Sequence, residues 1–149
     1  MILYHFTGLR ELIGDEGLAV IRPGIVNLAT IAAPGSIVAA GLKPFRSTDY
    51  DRFLNSPLPP CVWLTNDPDM TTIFSRCTGF RLMVIVSSTD RRLVHWPKYF
   101  SRHAGRTWHE TIQATDLTKE AQSVTGTFYV YFGAITRIAA VSPVNDKVH

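Results

Sequence analysis

The run over residues 1–6 is apolar but for a histidine and predicts a strand, whose side chains alternate sides with period two, so Tyr4 and Phe6 share one face while His5 takes the other. Thr7 follows, a residue type whose hydroxyl caps the first turn of a helix. Leu9, Leu12 and Ile13 then recur at helical spacing, and Gly17 is the predicted end. This arrangement sets His5 beside a helix N-terminus, where unpaired amides favour anionic or carbonyl oxygens of the kind a nucleotide carries. The alternative for such a histidine is a hydrogen-bonded structural residue.

Further along, the pattern predicts a covering segment and four more strands. Residues 22–45 are rich in Gly, Ala and Pro, but Ile25, Val26, Leu28, Ile31, Ile37 and Val38 are too apolar for a solvated linker. The expectation is an irregular segment with a short helix after Pro34, packed over the domain and able to cover a ligand. Pro57, Pro59 and Pro60 introduce a strand over 61–65; Asn66 or Asp67 then caps a helix that has Pro68 at its first position, continues over 70–77 and ends at Gly79. The nearly continuous apolar run 80–86 predicts a central strand covered on both faces, with Arg81 as its exception. Residues 90–106 mix Arg, Lys and His with Trp96, Tyr99 and Phe100, a helix is expected near 108–115, and strands are expected over 127–132 and 135–141. Strands outnumber helices, so the class is α+β, with residues 1–149 as one domain.

Composition narrows the function. With 46% apolar and 18% charged residues among 149, the chain is that of a globular protein. Its longest apolar run, 31–42, is broken by Pro34, Gly35 and Ser36 and is too short to cross a membrane. The N-terminus enters a strand directly, which predicts a cytoplasmic protein whose Cys61 and Cys77 are reduced core thiols. A net charge of +3 suits phosphate-bearing ligands without establishing nucleic-acid binding. His103 and His109, six residues apart, fit neither a helix-face nor a finger spacing for a metal, and no metal is expected. Neither Gly-rich phosphate-loop motif occurs.

The opening Tyr4-His5-Phe6-Thr7, the strand Val62-Trp63-Leu64-Thr65 and the late run Phe128-Tyr129-Val130-Tyr131 resemble, in that order, the motifs of the ADP-ribosyltransferase fold, in the branch of diphtheria-like toxins, poly-ADP-ribose polymerases and DarT toxins. The resemblance implies a split β-sheet core with a few flanking helices and NAD as substrate. Its first motif is His-Gly-Ser/Thr, so His5 and Thr7 match, with Tyr4 beside them, and Phe6 stands where the glycine would grip nicotinamide. The second motif implies that Trp63, or a tyrosine such as Tyr50, stacks on nicotinamide, with Thr65 alongside; the alternative for Trp63 is core packing. The third implies a glutamate at Thr127, and a hydroxyl there lacks the few kcal/mol of charge stabilisation that a carboxylate gives.

Glu110 and Glu120 are the nearest substitutes, though Glu110 also has capping-box spacing from Thr107. Arg81 is expected either to reach a dinucleotide phosphate or to point to water from an edge. The implied activity is transfer of ADP-ribose to a macromolecular acceptor, protein or nucleic acid, with His5, Arg81 and Glu110 as catalytic candidates. The alternative is a catalytically silent module binding a nucleotide, a nucleic acid or a partner protein, such as a phage or toxin-system inhibitor. Residues 91–106 are either a nucleic-acid contact or a solvated loop with anchoring aromatics.

Overall fold

The computed structural model describes residues 1–21, 27–69, 79–105 and 126–144. The helices expected over 70–77 and 108–115, and with them Cys77, Glu110 and Glu120, lie outside the described residues.

Among the described residues six strands form one sheet: β1 (Ile2–Thr7), β2 (Val62–Thr65), β3 (Phe80–Ile85), β4 (Leu93–His95), β5 (Phe128–Tyr131) and β6 (Ala140–Pro143). Their order is β4-β5-β2-β1-β3-β6, and every neighbouring pair is antiparallel. The fold is thus mixed α and β on a single sheet. The sheet is not divided in two, as a split core would be, but its middle is narrow. β1 pairs with β3 along its whole length, from Ile2↔Ile85 to Thr7↔Phe80, and with β2 only at Tyr4↔Thr65.

Alternation gives the sheet two unlike faces. Leu3, Val62, Leu64, Val84 and Tyr131 point to one, where they bury against Leu42 and Ile135. Leu82 continues this face under Leu12 and Ile13 of α1 (Leu9–Val20). The other face holds Cys61, Trp63 and Val130 against Leu54, Leu58 and Trp96 of α3 (Trp96–His103).

Several expectations shift. Thr7 does not cap α1: it is the last residue of β1, the cap falls to Gly8, and no side chain bonds there. Gly17 does not end the helix but is buried within it, and the interruption is at Gly14, whose φ of 79° breaks the helical path and lets the chain meet Ala33. β3 is internal, yet Ile85 is 66% exposed, so its second face is not covered at that end. The last strand begins at Ala140 rather than 135, because Ile135 instead forms an isolated bridge to Leu42. Residues 91–106, expected to be either a nucleic-acid contact or a solvated loop, contain β4 and α3. The short helix after Pro34 is present as α2 (Ile37–Ala40).

Candidate functional site

A cleft of about 210 Å³ opens where β1 meets the covering segment. Its polar wall comes from the β1–α1 corner (His5, Thr7 and Glu11), and its opposite wall from residues 35–45, where Lys43 and Phe45 are at the rim. Gly41 makes this wall possible. With φ of 84°, and with Ile135 O and Thr136 Cα only 2.5 and 2.6 Å from where a Cβ would sit, it turns the chain left-handed against the backbone. Leu42 then exchanges two 2.8 Å backbone hydrogen bonds with Ile135, and Phe45 exchanges two with Cys61. Lys43 therefore projects from a stretch tied down at both ends.

His5 is the centre of the site. Its Nδ1 donates to the Trp63 carbonyl at 2.8 Å, across the narrow junction of β1 and β2. A carbonyl only accepts, so the proton is on Nδ1. Burial holds the imidazole below its ordinary pKa, and the bond to Trp63 opposes this only in part. At neutral pH the ring is uncharged, with Nε2 left as an acceptor.

The other sequence-predicted residues are not gathered here. The register Tyr4↔Thr65 places the side chains of Tyr4, Phe6, Trp63 and Thr65 on the face opposite His5. Trp63 packs at 4.7 Å between ring centroids from Trp96 and 5.5 Å from Tyr50, so both proposed stacking rings belong to an aromatic core. What Trp63 contributes to the cleft is its backbone carbonyl. Thr65 is buried, its Oγ1 donating to the Thr127 carbonyl (3.1 Å) and accepting from the Asp67 amide (3.2 Å).

Arg81 pairs with Phe6 and so leaves the same far face. It is occupied by protein: Nη1 donates to the Pro68 carbonyl at 2.8 Å and lies 3.6 Å from Asp69, Nε reaches Ser142 at 3.3 Å, and the guanidinium sits 5.7 Å from the Tyr4 ring centroid. Thr127 shares a 3.2 Å hydrogen bond with His95 Nε2 and donates its amide to Asn66. The Cys61 thiol is pushed by burial up to about 11, which rules against a thiolate nucleophile at neutral pH.

Three residues of the cleft escaped sequence reasoning. Glu11 stands three positions after the cap residue Gly8 and reads as a capping-box acid. Lys43 had a signal: residues 23–42 carry no charge, and it is the first charged side chain after them. Phe45 is 52% exposed although it is pinned by two backbone bonds, a combination only the structure reveals.

Compared with known proteins, the chain matches no family model, no curated protein and no solved structure. Among the described residues, no three His, Cys, Asp or Glu side chains converge as a metal site requires, and no helix is long and apolar enough to cross a membrane.

Proposed function

We propose that the chain is an ADP-ribosyltransferase-like protein that takes NAD as substrate, with the nicotinamide-ribose end seated in the His5 cleft. The observation that carries this reading is the committed tautomer of His5. A neutral imidazole with Nδ1 tied to Trp63 presents Nε2 as an acceptor, the group that receives a hydrogen bond from a ribose hydroxyl. The cleft volume suits one sugar or ring, well below the several hundred Å³ that enclose a whole drug-sized ligand, so the remainder of the dinucleotide lies along the rim. There Phe45 offers a flat apolar face for a planar ring and Lys43 a point charge for phosphate. The acceptor of ADP-ribose is a macromolecule, since nothing in so small a cleft encloses a second ligand.

Calorimetry with NAD, combined with chromatographic detection of released nicotinamide, tests the reading. Wild-type protein is expected to bind with a Kd between about 1 μM and 1 mM, and His5→Ala to weaken binding about tenfold, the worth of one good hydrogen bond. Absence of both binding and release in wild type overturns it. A second reading, a silent NAD-binding module, is favoured by the neutral Thr127 held by His95; binding without release, in the presence of cell extract as acceptor, decides for it.

A further inference from the structure

We infer that Glu11 is the catalytic carboxylate of this cleft, an assignment that rests on the NAD reading above. Among the described residues lining the cleft it is the sole acid. Its neighbour Arg10 is paired with Asp15 at 3.1 Å, and no described residue is hydrogen-bonded or ion-paired to the Glu11 carboxylate. That carboxylate leans back over the β1–α1 corner: a Cβ on Gly8 would lie 2.8 Å from Glu11 Oε2. The absence of a side chain at position 8 thus leaves the space the acid occupies, next to His5 and Thr7. The other polar groups expected from the sequence are elsewhere, with Arg81 on the far face and Thr127 bonded to His95.

The chemistry needs such a group. When the bond between the nicotinamide nitrogen and the ribose C1′ breaks, its electron pair departs with neutral nicotinamide and C1′ becomes an oxocarbenium-like centre. A carboxylate nearby stabilises that positive charge. The acceptor's oxygen or nitrogen lone pair then forms the new bond to C1′, and its proton passes to Glu11 and on to water. The exchange is redox-neutral and balances with NAD and acceptor alone.

Glu11→Gln separates this role from packing, because glutamine keeps the size and shape of the side chain and removes only its charge. The experiment measures nicotinamide release, NAD affinity by calorimetry and Tm for wild type, Glu11→Gln and Gly8→Ala. Gly8 has φ of −87°, which alanine adopts freely. Expected are a loss of about 100-fold or more in release for Glu11→Gln, about tenfold or more for Gly8→Ala through displacement of the acid, and an unchanged Tm and NAD affinity within about threefold for Glu11→Gln. An active wild type whose Glu11→Gln variant keeps more than half its release rate overturns the role of Glu11 while the NAD reading stands. Binding of NAD without release in wild type also overturns it, and a wild type that neither binds nor releases overturns both.

Discussion

The two faces of the sheet at the β1–β2 junction are built from alternate residues of the same two strands, yet they are opposites in chemistry. On one, Trp63, Tyr50, Trp96, Tyr99 and Phe100 close ring upon ring, with centroid separations of 4.7 to 6.2 Å. On the other, His5, Thr7 and Glu11 face a space with polar groups to offer. An aromatic residue on a strand beside a histidine suggests a stacking platform, and here the strand's own parity sends it to the core. Which face a side chain takes, not its type, separates the ring that lines the cleft from the ring that packs in the core.

The sharpest way to break this contrast is a pair of alanine substitutions. Trp63→Ala removes a half-buried ring from the middle of the aromatic cluster and is expected to cost about 3–4 kcal/mol of stability, with NAD affinity of the folded protein intact. Phe45→Ala removes a ring that is 52% exposed and held only through its backbone; it is expected to change stability by less than about 0.5 kcal/mol and to weaken NAD binding about tenfold. Urea unfolding and calorimetry on both variants read all four quantities. A Trp63→Ala protein of wild-type stability that no longer binds NAD reverses the assignment of the two faces.

Arg81→Met gives an intermediate effect on the packed side. It leaves the Pro68 carbonyl without its 2.8 Å donor and Ser142 Oγ without its partner. The contact with Asp69, whose side chain is 89% exposed, adds little because water screens it. The expected loss is about 1–2 kcal/mol by chemical unfolding, with NAD affinity unchanged. A large affinity loss without a stability loss returns Arg81 to a phosphate-binding role.

How much of this was legible follows from where the information resides. Short apolar runs bounded by turn residues located β1, β2, β3 and β5 to within a residue or two, since each strand has to bury at least one face and the signal for that is local. The covering segment was legible because apolar residues such as Ile31 and Ile37 have to be buried somewhere. β4 and α3 were not, because Lys98, Arg102 and His103 spread charge over a helix that turns Trp96 inward and masks its apolar stripe. Thr7 failed as a cap because the sheet claims it first, pairing it with Phe80. That His5 leaves β1 on the face opposite Tyr4 and Phe6 could be read from the chain alone. That Trp63 faces away could not, since it depends on the pairing of Tyr4 with Thr65, residues far apart in sequence.

The smallest expected effect is on pH dependence, and the cleft supplies only part of it. Burial depresses the pKa of His5 in the folded protein, while an unfolded chain takes up a proton near pH 6.5. Below about pH 6.5 the unfolded state therefore binds more protons than the folded one, and by linkage stability rises with pH across that window and is lost as pH falls through it. His95, lowered by burial and by Lys98, contributes in the same direction. Asp90 and Asp51, whose carboxyls are held low by Arg92 and Arg46, lose their stabilisation only at more acidic pH, near and below the ordinary carboxylate range, so the two windows are distinct. Urea midpoints between pH 5 and 8 are expected to climb up to about pH 6.5 and then level. In His5→Gln the climb is shallower by the His5 share and His95 supplies the rest. NAD affinity follows the same course in wild type, because a proton on Nε2 converts the acceptor the ribose needs into a donor. An affinity that stays level through this window while the stability climbs separates His5 from the ligand, and leaves it as the pin that joins β1 to β2.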